Sequence, residues 1–153
     1  PKTGGVARMD RERLSGHSAH VIWLTGLSGS GKSTIARQLE IALIARNRRT
    51  FVLDGDNLRS GLCKDLGYSL TDRAENVRRV AEVAKILLDA GVISIVALIS
   101  PIEEQRQLAR QLIGAENVTI VHLATPLATC MQRDPKGLFS EGSDRRDSTH
   151  DGN

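Results

Sequence analysis

In GLSGSGKS, residues 26–33, a glycine is followed by four residues and then by Gly-Lys-Ser. This spacing suits one kind of chemistry, the holding of a polyphosphate. Gly26, Gly29 and Gly31 let the backbone curl, so that successive N–H groups, including those of Ser28 and Ser30, point at phosphate oxygens. Lys32 is placed to reach the β- and γ-phosphates, and the Ser33 hydroxyl to ligate Mg²⁺. A helix opening at this point adds partial positive charge from its N-terminus. A chance Gly/Ser turn is the bland alternative, but it does not explain an apolar run before the motif and a helical pattern after it. The motif speaks for a nucleoside triphosphate and is nearly silent about the acceptor.

LDGDNLR, residues 53–59, sets two carboxylates around a glycine at the end of another apolar run. In open α/β sheets ligands gather at the carboxyl ends of the strands, so Asp54 and Asp56 belong on the same edge as the phosphate loop. One of them can take a hydroxyl proton or hold Mg²⁺ through water. The plain alternative is a turn in which Asp56 caps a helix NLRSGL. Arg59, one turn into that helix, can face an anion and favours the first reading. Arg73 and Asn76 lie three apart and share a helix face. Together they suit a phosphate or sulfate and a sugar or base edge, with a solvated face as an equal alternative. Ile99, Ser100 and Pro101 close the longest apolar run at the same edge, where a simple strand-to-helix turn is the other reading.

The elements that must position these residues follow from periodicity. VIWLT (21–25) and TFVLD (50–54) read as short strands, VISIVALI (92–99) as a central strand, and VTIVHLA (118–124) as another. STIARQLEIALIARN (33–47) has a helical period. A long helix opens at Ser69-x-x-Asp72, a capping-box pattern, and closes at Gly91. EEQRQLARQLIG and PLATCMQR complete the set, the latter starting at Pro126. Strands alternating with helices predict an α/β fold: a mostly parallel sheet with helices on both faces. Residues 1–19 read as an arm or linker with a short helical turn at MDRERL, residues 20–139 as the domain, and the polar stretch 140–153 as a disordered tail.

The 153 residues are enough for one domain, since a chain of about 150 residues buries roughly 70% of its unfolded surface. The net charge of +3 suits small anions. No basic stripe is interleaved with aromatics, and with only Trp23, Phe51, Tyr68 and Phe139 available a nucleic-acid stacking platform is not expected. Cys63 and Cys130 are far apart and lack metal-ligand spacing, so they read as reduced thiols in the cytoplasm. No apolar run approaches a membrane span, and the start lacks a signal peptide's apolar region. The first residue is Pro rather than Met, which fits an internal boundary.

GLSGSGKST, LDGDNLRSGL, DLGYSLTDRAENVRRVAEVAKILLDAG, the Ile-Ser-Pro triplet and RDPKGL stand in the order and spacing of the adenylyl-sulfate kinases, which the chain resembles from about His17 to Phe139. The resemblance implies phosphorylation of the 3′-hydroxyl of adenosine 5′-phosphosulfate by ATP with Mg²⁺, the step that activates sulfate for assimilation. It implies that Gly26, Ser28, Gly29, Ser30, Gly31, Lys32, Ser33 and Thr34 hold ATP, with Arg133 near its adenine. Arg59, Arg73 and Asn76 would grip the substrate, Ile99, Ser100 and Pro101 would line its pocket, and Lys136 would lie close by. Tyr68 stands where the family usually has a phenylalanine that stacks on adenine. Asp54 and Asp56 would serve Mg²⁺ and the 3′-hydroxyl. Ser100 is the family's candidate for a phosphoserine intermediate, although direct in-line transfer is more economical. The upstream RERLSGH resembles the segment that precedes this domain where it is fused to, or partnered with, a sulfate adenylyltransferase. A homodimer is a further possibility, and neither nucleic acid nor membrane is implied.

Cys63 occupies a position usually taken by asparagine, and Ile102 one usually aromatic. After RDPKGL the family continues with a basic lid, a second base-stacking aromatic and a last strand, which this sequence is expected to lack. Three other functions stand beside the leading one. They are a phosphate-loop kinase for another small hydroxyl acceptor, a weakened or non-catalytic nucleotide-binding module that regulates a sulfate-activating partner, and, least favoured, a nucleic-acid-binding ATPase.

Overall fold

The computed structural model describes residues 5–100, 102–125 and 127–132. Four strands, β1 (Val21–Thr25), β2 (Thr50–Asp54), β3 (Ile93–Ala97) and β4 (Val118–His122), form one sheet in the order β2-β3-β1-β4. Every pairing is parallel, with Val21 opposite both Ser94 and Val118, and Asp54 opposite Ala97. Parallel neighbours need long crossovers. These are made by α2 (Lys32–Ala45), α4 (Leu70–Asp89) and α5 (Glu103–Ile113), with short helices α1 (Arg8–Ser15), α3 (Gly55–Arg59) and α6 (Leu127–Gln132) besides. All four carboxyl ends therefore open on one edge.

Successive strand residues face opposite sides of a sheet. Trp23, Leu53 and Val96 join Val77, Val80, Ala81, Ala84 and Leu88 of α4 and Ala109 and Ile113 of α5 in one core. Leu24, Val52, Ile95 and Ala97 meet Ala36 of α2 on the other face. β3, buried along its whole length, is the central strand its apolar run predicts. Leu88 is fully enclosed, so Leu88→Ala would cost about 2–5 kcal/mol.

β1 and β2 match the predicted strands, and the other boundaries shift for local reasons. β3 ends at Ala97 because residues 98–100 leave the ladder to build the site edge. The helix expected over 33–47 ends at Ala45, where Asn47 adopts a left-handed backbone with φ 62°, a conformation asparagine tolerates at helix ends. The helix read as NLRSGL starts at Gly55 instead, and its N-cap is Asp54, not Asp56. Ser69 Oγ accepts from the Asp72 N–H at 3.1 Å, as the capping-box pattern requires. The Asp72 carboxylate, however, accepts from the Gly67 N–H at 2.8 Å rather than from its own cap residue.

The segment read as an arm is docked on the domain. Arg8 donates to Asp89 and Asn117, and Glu12 accepts from the Ala19 N–H at 2.7 Å. Gly91, with φ +83°, lets α1 approach so closely that a Cβ there would meet Arg11 at 3.1 Å. The expected lack of a lid and last strand, and the predicted tail, concern residues outside those described.

Candidate active site

The phosphate loop leaves β1 at Gly26. Its φ is +154°, and a Cβ there would meet Ser30 Oγ at 2.8 Å and the Leu123 carbonyl oxygen at 3.0 Å, so no larger residue fits. Gly31, at φ 101°, turns the chain into α2, whose first turn carries no side-chain cap. Its N–H groups are the orphan donors that make a helix start an anion site. Lys32 is only 3% exposed, and its ammonium donates to the carbonyls of Gly26 at 2.8 Å and Leu27 at 3.0 Å, spanning the loop. The Ser30 hydroxyl is buried and finds no hydrogen-bond partner among the described residues. The Ser30 carbonyl accepts from Thr125 Oγ1 at 2.9 Å, which ties the loop to the end of β4. Ser28 is buried, while Ser33 and Thr34 are exposed at the start of α2. A cavity of about 330 Å³, lined by Thr25, Gly26, Leu27, Ile99, His122 and Leu123 among others, adjoins the loop.

These features fit a triphosphate. The exposed Ser33 hydroxyl at the start of α2, and the Asp54 carboxylate at the end of β2 through water, are oxygens that could hold Mg²⁺. Among the described residues no group of three or more His, Cys, Asp or Glu could hold a metal by itself.

The two aspartates of LDGDN differ. Asp54, buried at the end of β2, accepts from the Asn57 N–H at 2.9 Å and from Asn57 Nδ2 at 3.3 Å, and pairs with Arg37 of α2 at 3.4 Å. Both of its oxygens are engaged in holding α3 and α2 together. Asp56 is exposed in the first turn of α3.

Two arginines follow β2 toward the same edge, Arg59 at the end of α3 and Arg73 at the start of α4. Arg59 ends α3, donates from Nη1 to the carbonyls of Leu66 at 3.2 Å and Gly67 at 3.4 Å, and lies over the Tyr68 ring at 4.2 Å. Tyr68 is 54% exposed, whereas Arg73 and Asn76, in the first two turns of α4, are 5% and 4% exposed. The solvated-face reading of that pair is thereby excluded. Asn76 Oδ1 is a buried acceptor with no partner among the described residues, an unusual state for a buried polar atom.

Ile99 and Ser100 follow β3 at the centre of the edge, both buried. Ser100 is 1% exposed; its Oγ accepts from Trp23 Nε1 at 3.1 Å, its N–H donates to Thr25 Oγ1 at 3.3 Å, and its carbonyl accepts from Arg106. The hydroxyl is turned into the core, a poor posture for a phosphoryl-accepting nucleophile. Cys63 is fully enclosed within the loop after α3. Burial pushes its thiol up, against the pull of the Arg79 and Arg59 charges. Pro101, Arg133 and Lys136 lie outside the described residues.

Sequence reasoning missed the supports of the site. Trp23, Arg37, Arg106 and Thr125 each fasten a site residue from another element, and no local pattern marks those pairs.

A parallel sheet with a glycine-rich loop after its first strand, and with buried Arg73 and Asn76 at the start of α4, has the make-up of a phosphate-loop kinase. The family model for adenylylsulphate kinase matches residues 18–148. An adenylyl-sulfate kinase of Pseudomonas aeruginosa is 56% identical over 142 residues, covering 91% of this chain and 72% of that protein. One of Citrobacter koseri is 55% identical over 136 residues, covering 89% and 68%. An APS kinase of Mycobacterium tuberculosis, solved in complex with AMPPNP and APS, shares the fold with a TM-score of 0.79 at 45% identity, covering 84% of this chain and 76% of that one. The chain belongs to the adenylyl-sulfate kinase family.

Proposed function

We propose that the chain transfers the γ-phosphoryl group of ATP to the 3′-hydroxyl of adenosine 5′-phosphosulfate, giving ADP and 3′-phosphoadenosine 5′-phosphosulfate. The observation that carries the assignment of roles is the burial of Arg73 and Asn76 at the edge that also bears the Lys32 loop. ATP with Mg²⁺ supplies the phosphoryl group and the charge that offsets it. The loop N–H groups and Lys32 would hold the β- and γ-phosphates, and Ser33 would give Mg²⁺ a hydroxyl ligand. Asp54, with both oxygens engaged, suits contact to the metal through water. Asp56, exposed, accepts the proton of the 3′-hydroxyl as its oxygen bonds to phosphorus and the bond to the ADP oxygen breaks.

Arg59, Arg73 and Asn76 hold the phosphosulfate substrate, and Tyr68 carries its adenine. Ile99 and Ser100 line the pocket wall. Transfer is direct, since phosphoryl transfer needs positioning and charge stabilisation more than covalent help, and Ser100 is bonded into the core. Roles for Pro101, Arg133 and Lys136 rest on the family resemblance. Association with a sulfate adenylyltransferase rests only on the RERLSGH segment, which here folds onto its own domain as α1. Among the described residues no helix is long and apolar enough to cross a membrane.

The test is ADP release with ATP and Mg²⁺ against a panel of acceptors: adenylyl sulfate, AMP, adenosine and gluconate. Turnover confined to adenylyl sulfate supports the assignment, and equal turnover with another alcohol contradicts it.

A further inference from the structure

We infer that Arg79 is a positioning residue that pins the acceptor loop, residues 60–68, to α4 and thereby sets Arg59 and Tyr68. The inference rests on the reading that those two residues hold adenylyl sulfate. Arg79 lies one turn beyond Glu75 on α4. Its Nη1 donates to the Leu62 carbonyl at 2.9 Å and to Asp65 Oδ1 at 2.7 Å. Its Nη2 donates to Asp65 Oδ2 at 3.1 Å, and its Nε to Glu75 Oε2 at 2.9 Å. These bonds use four of the five N–H donors of a guanidinium. Most of the Arg79 guanidinium is therefore committed to the loop and to Glu75, which is the posture of a fastening.

The fork geometry makes the tie directional. Asp65 and the Leu62 carbonyl bracket Cys63, the fully enclosed anchor of the loop. Glu75 is itself gripped by Arg78 through two bonds of 2.8 Å. Its carboxyl is held down at about 2, first by the Arg78 bonds and then by Arg79, and the Arg79 bond also lowers that of Asp65. The clamp thus stays charged at any pH used for assay. The rest of the loop closes through Arg59 on the Leu66 and Gly67 carbonyls and through Asp72 on the Gly67 N–H. Arg79 thus provides the fastening from α4 on the far side of Cys63. Because Asp65 is largely exposed, the clamp adds little to global stability, and its effect belongs in substrate affinity.

The experiment is steady-state kinetics of the full chain with Arg79→Met. The KM for adenylyl sulfate should rise about tenfold, or ~1.4 kcal/mol, while kcat and the KM for ATP stay within about twofold. Arg79→Lys, which keeps the charge and part of the tie, should fall between. Asp65→Ala should raise the same KM, and the double variant should be no worse than Arg79→Met alone. Amide hydrogen exchange should quicken across residues 60–68 and nowhere else. Arg59→Ala is the control on the underlying reading. If it leaves the KM for adenylyl sulfate unchanged, the acceptor-site assignment fails. If it raises that KM while Arg79→Met matches the wild type, the clamp is refuted. Fully additive Arg79 and Asp65 effects, or unchanged exchange across the loop, would also overturn it.

Discussion

Replacing Tyr68 with alanine separates the substrate sites most cleanly. The ring is 54% exposed and lies under the Arg59 guanidinium at 4.2 Å. Its truncation opens no cavity, so stability should change by only about 0.5 kcal/mol. On the proposed reading it removes a stacking surface for adenine, worth about 1–3 kcal/mol. It also removes an exposed cation–π contact of roughly 0.5–1 kcal/mol that steadies Arg59. Counting the stack alone, the KM for adenylyl sulfate should rise roughly 5- to 150-fold, with the KM for ATP unchanged. Tyr68→Phe keeps the ring and should lie within about twofold of the wild type. The assay is coupled ADP release, varying each substrate at saturation of the other. An unchanged KM for adenylyl sulfate, or an equal rise for ATP, would refute the stacking assignment. A Phe variant as impaired as the Ala variant would move the contact from the ring to the hydroxyl.

Four further outcomes are expected. Lys32→Ala should abolish turnover by removing the cation that spans the loop; an unchanged kcat/KM contradicts its role. Arg73→Ala should weaken adenylyl sulfate far more than ATP if its buried guanidinium holds the acceptor as proposed; equal weakening counts against it. Ser100→Ala should retain turnover while unfolding more easily by about 1–3 kcal/mol, because the buried Trp23 N–H loses its acceptor. Trapping of a phosphoserine on the wild type, with a dead variant, would reverse that reading. Cys63 should resist alkylation at pH 8 until the chain is unfolded, since burial raises its thiol; peptide mapping of labelled protein decides. The same shift makes the thiol a source of stability below its ordinary titration range, lost as pH rises through the folded value.

Much of the fold was legible because its signals are local. β1 and β2 are apolar runs with sharp ends, and the phosphate loop is a contiguous motif whose glycines answer to backbone geometry at Gly26 and Gly31. The capping pattern at Ser69 was half right, since Asp72 serves the loop before the helix and not the cap. The cap of α3 was misplaced from Asp54 to Asp56. Either aspartate satisfies the local rule, and it is the end of β2 that selects Asp54. Long-range partners left no trace in the sequence. The Trp23–Ser100 bond joins residues 77 positions apart. Arg73 and Asn76 could not be told from a solvated face until α4 was packed on the sheet.

The central claim is a 3′-phosphorylation of adenylyl sulfate at the Lys32 loop, and single-turnover product identification tests it most directly. The chain, ATP, Mg²⁺ and adenylyl sulfate are mixed, quenched and resolved by mass and phosphorus resonance. The account predicts one 3′-phosphoadenosine 5′-phosphosulfate for each ADP, with none formed by Lys32→Ala. ADP release without that product, or product formed equally by Lys32→Ala, would contradict it.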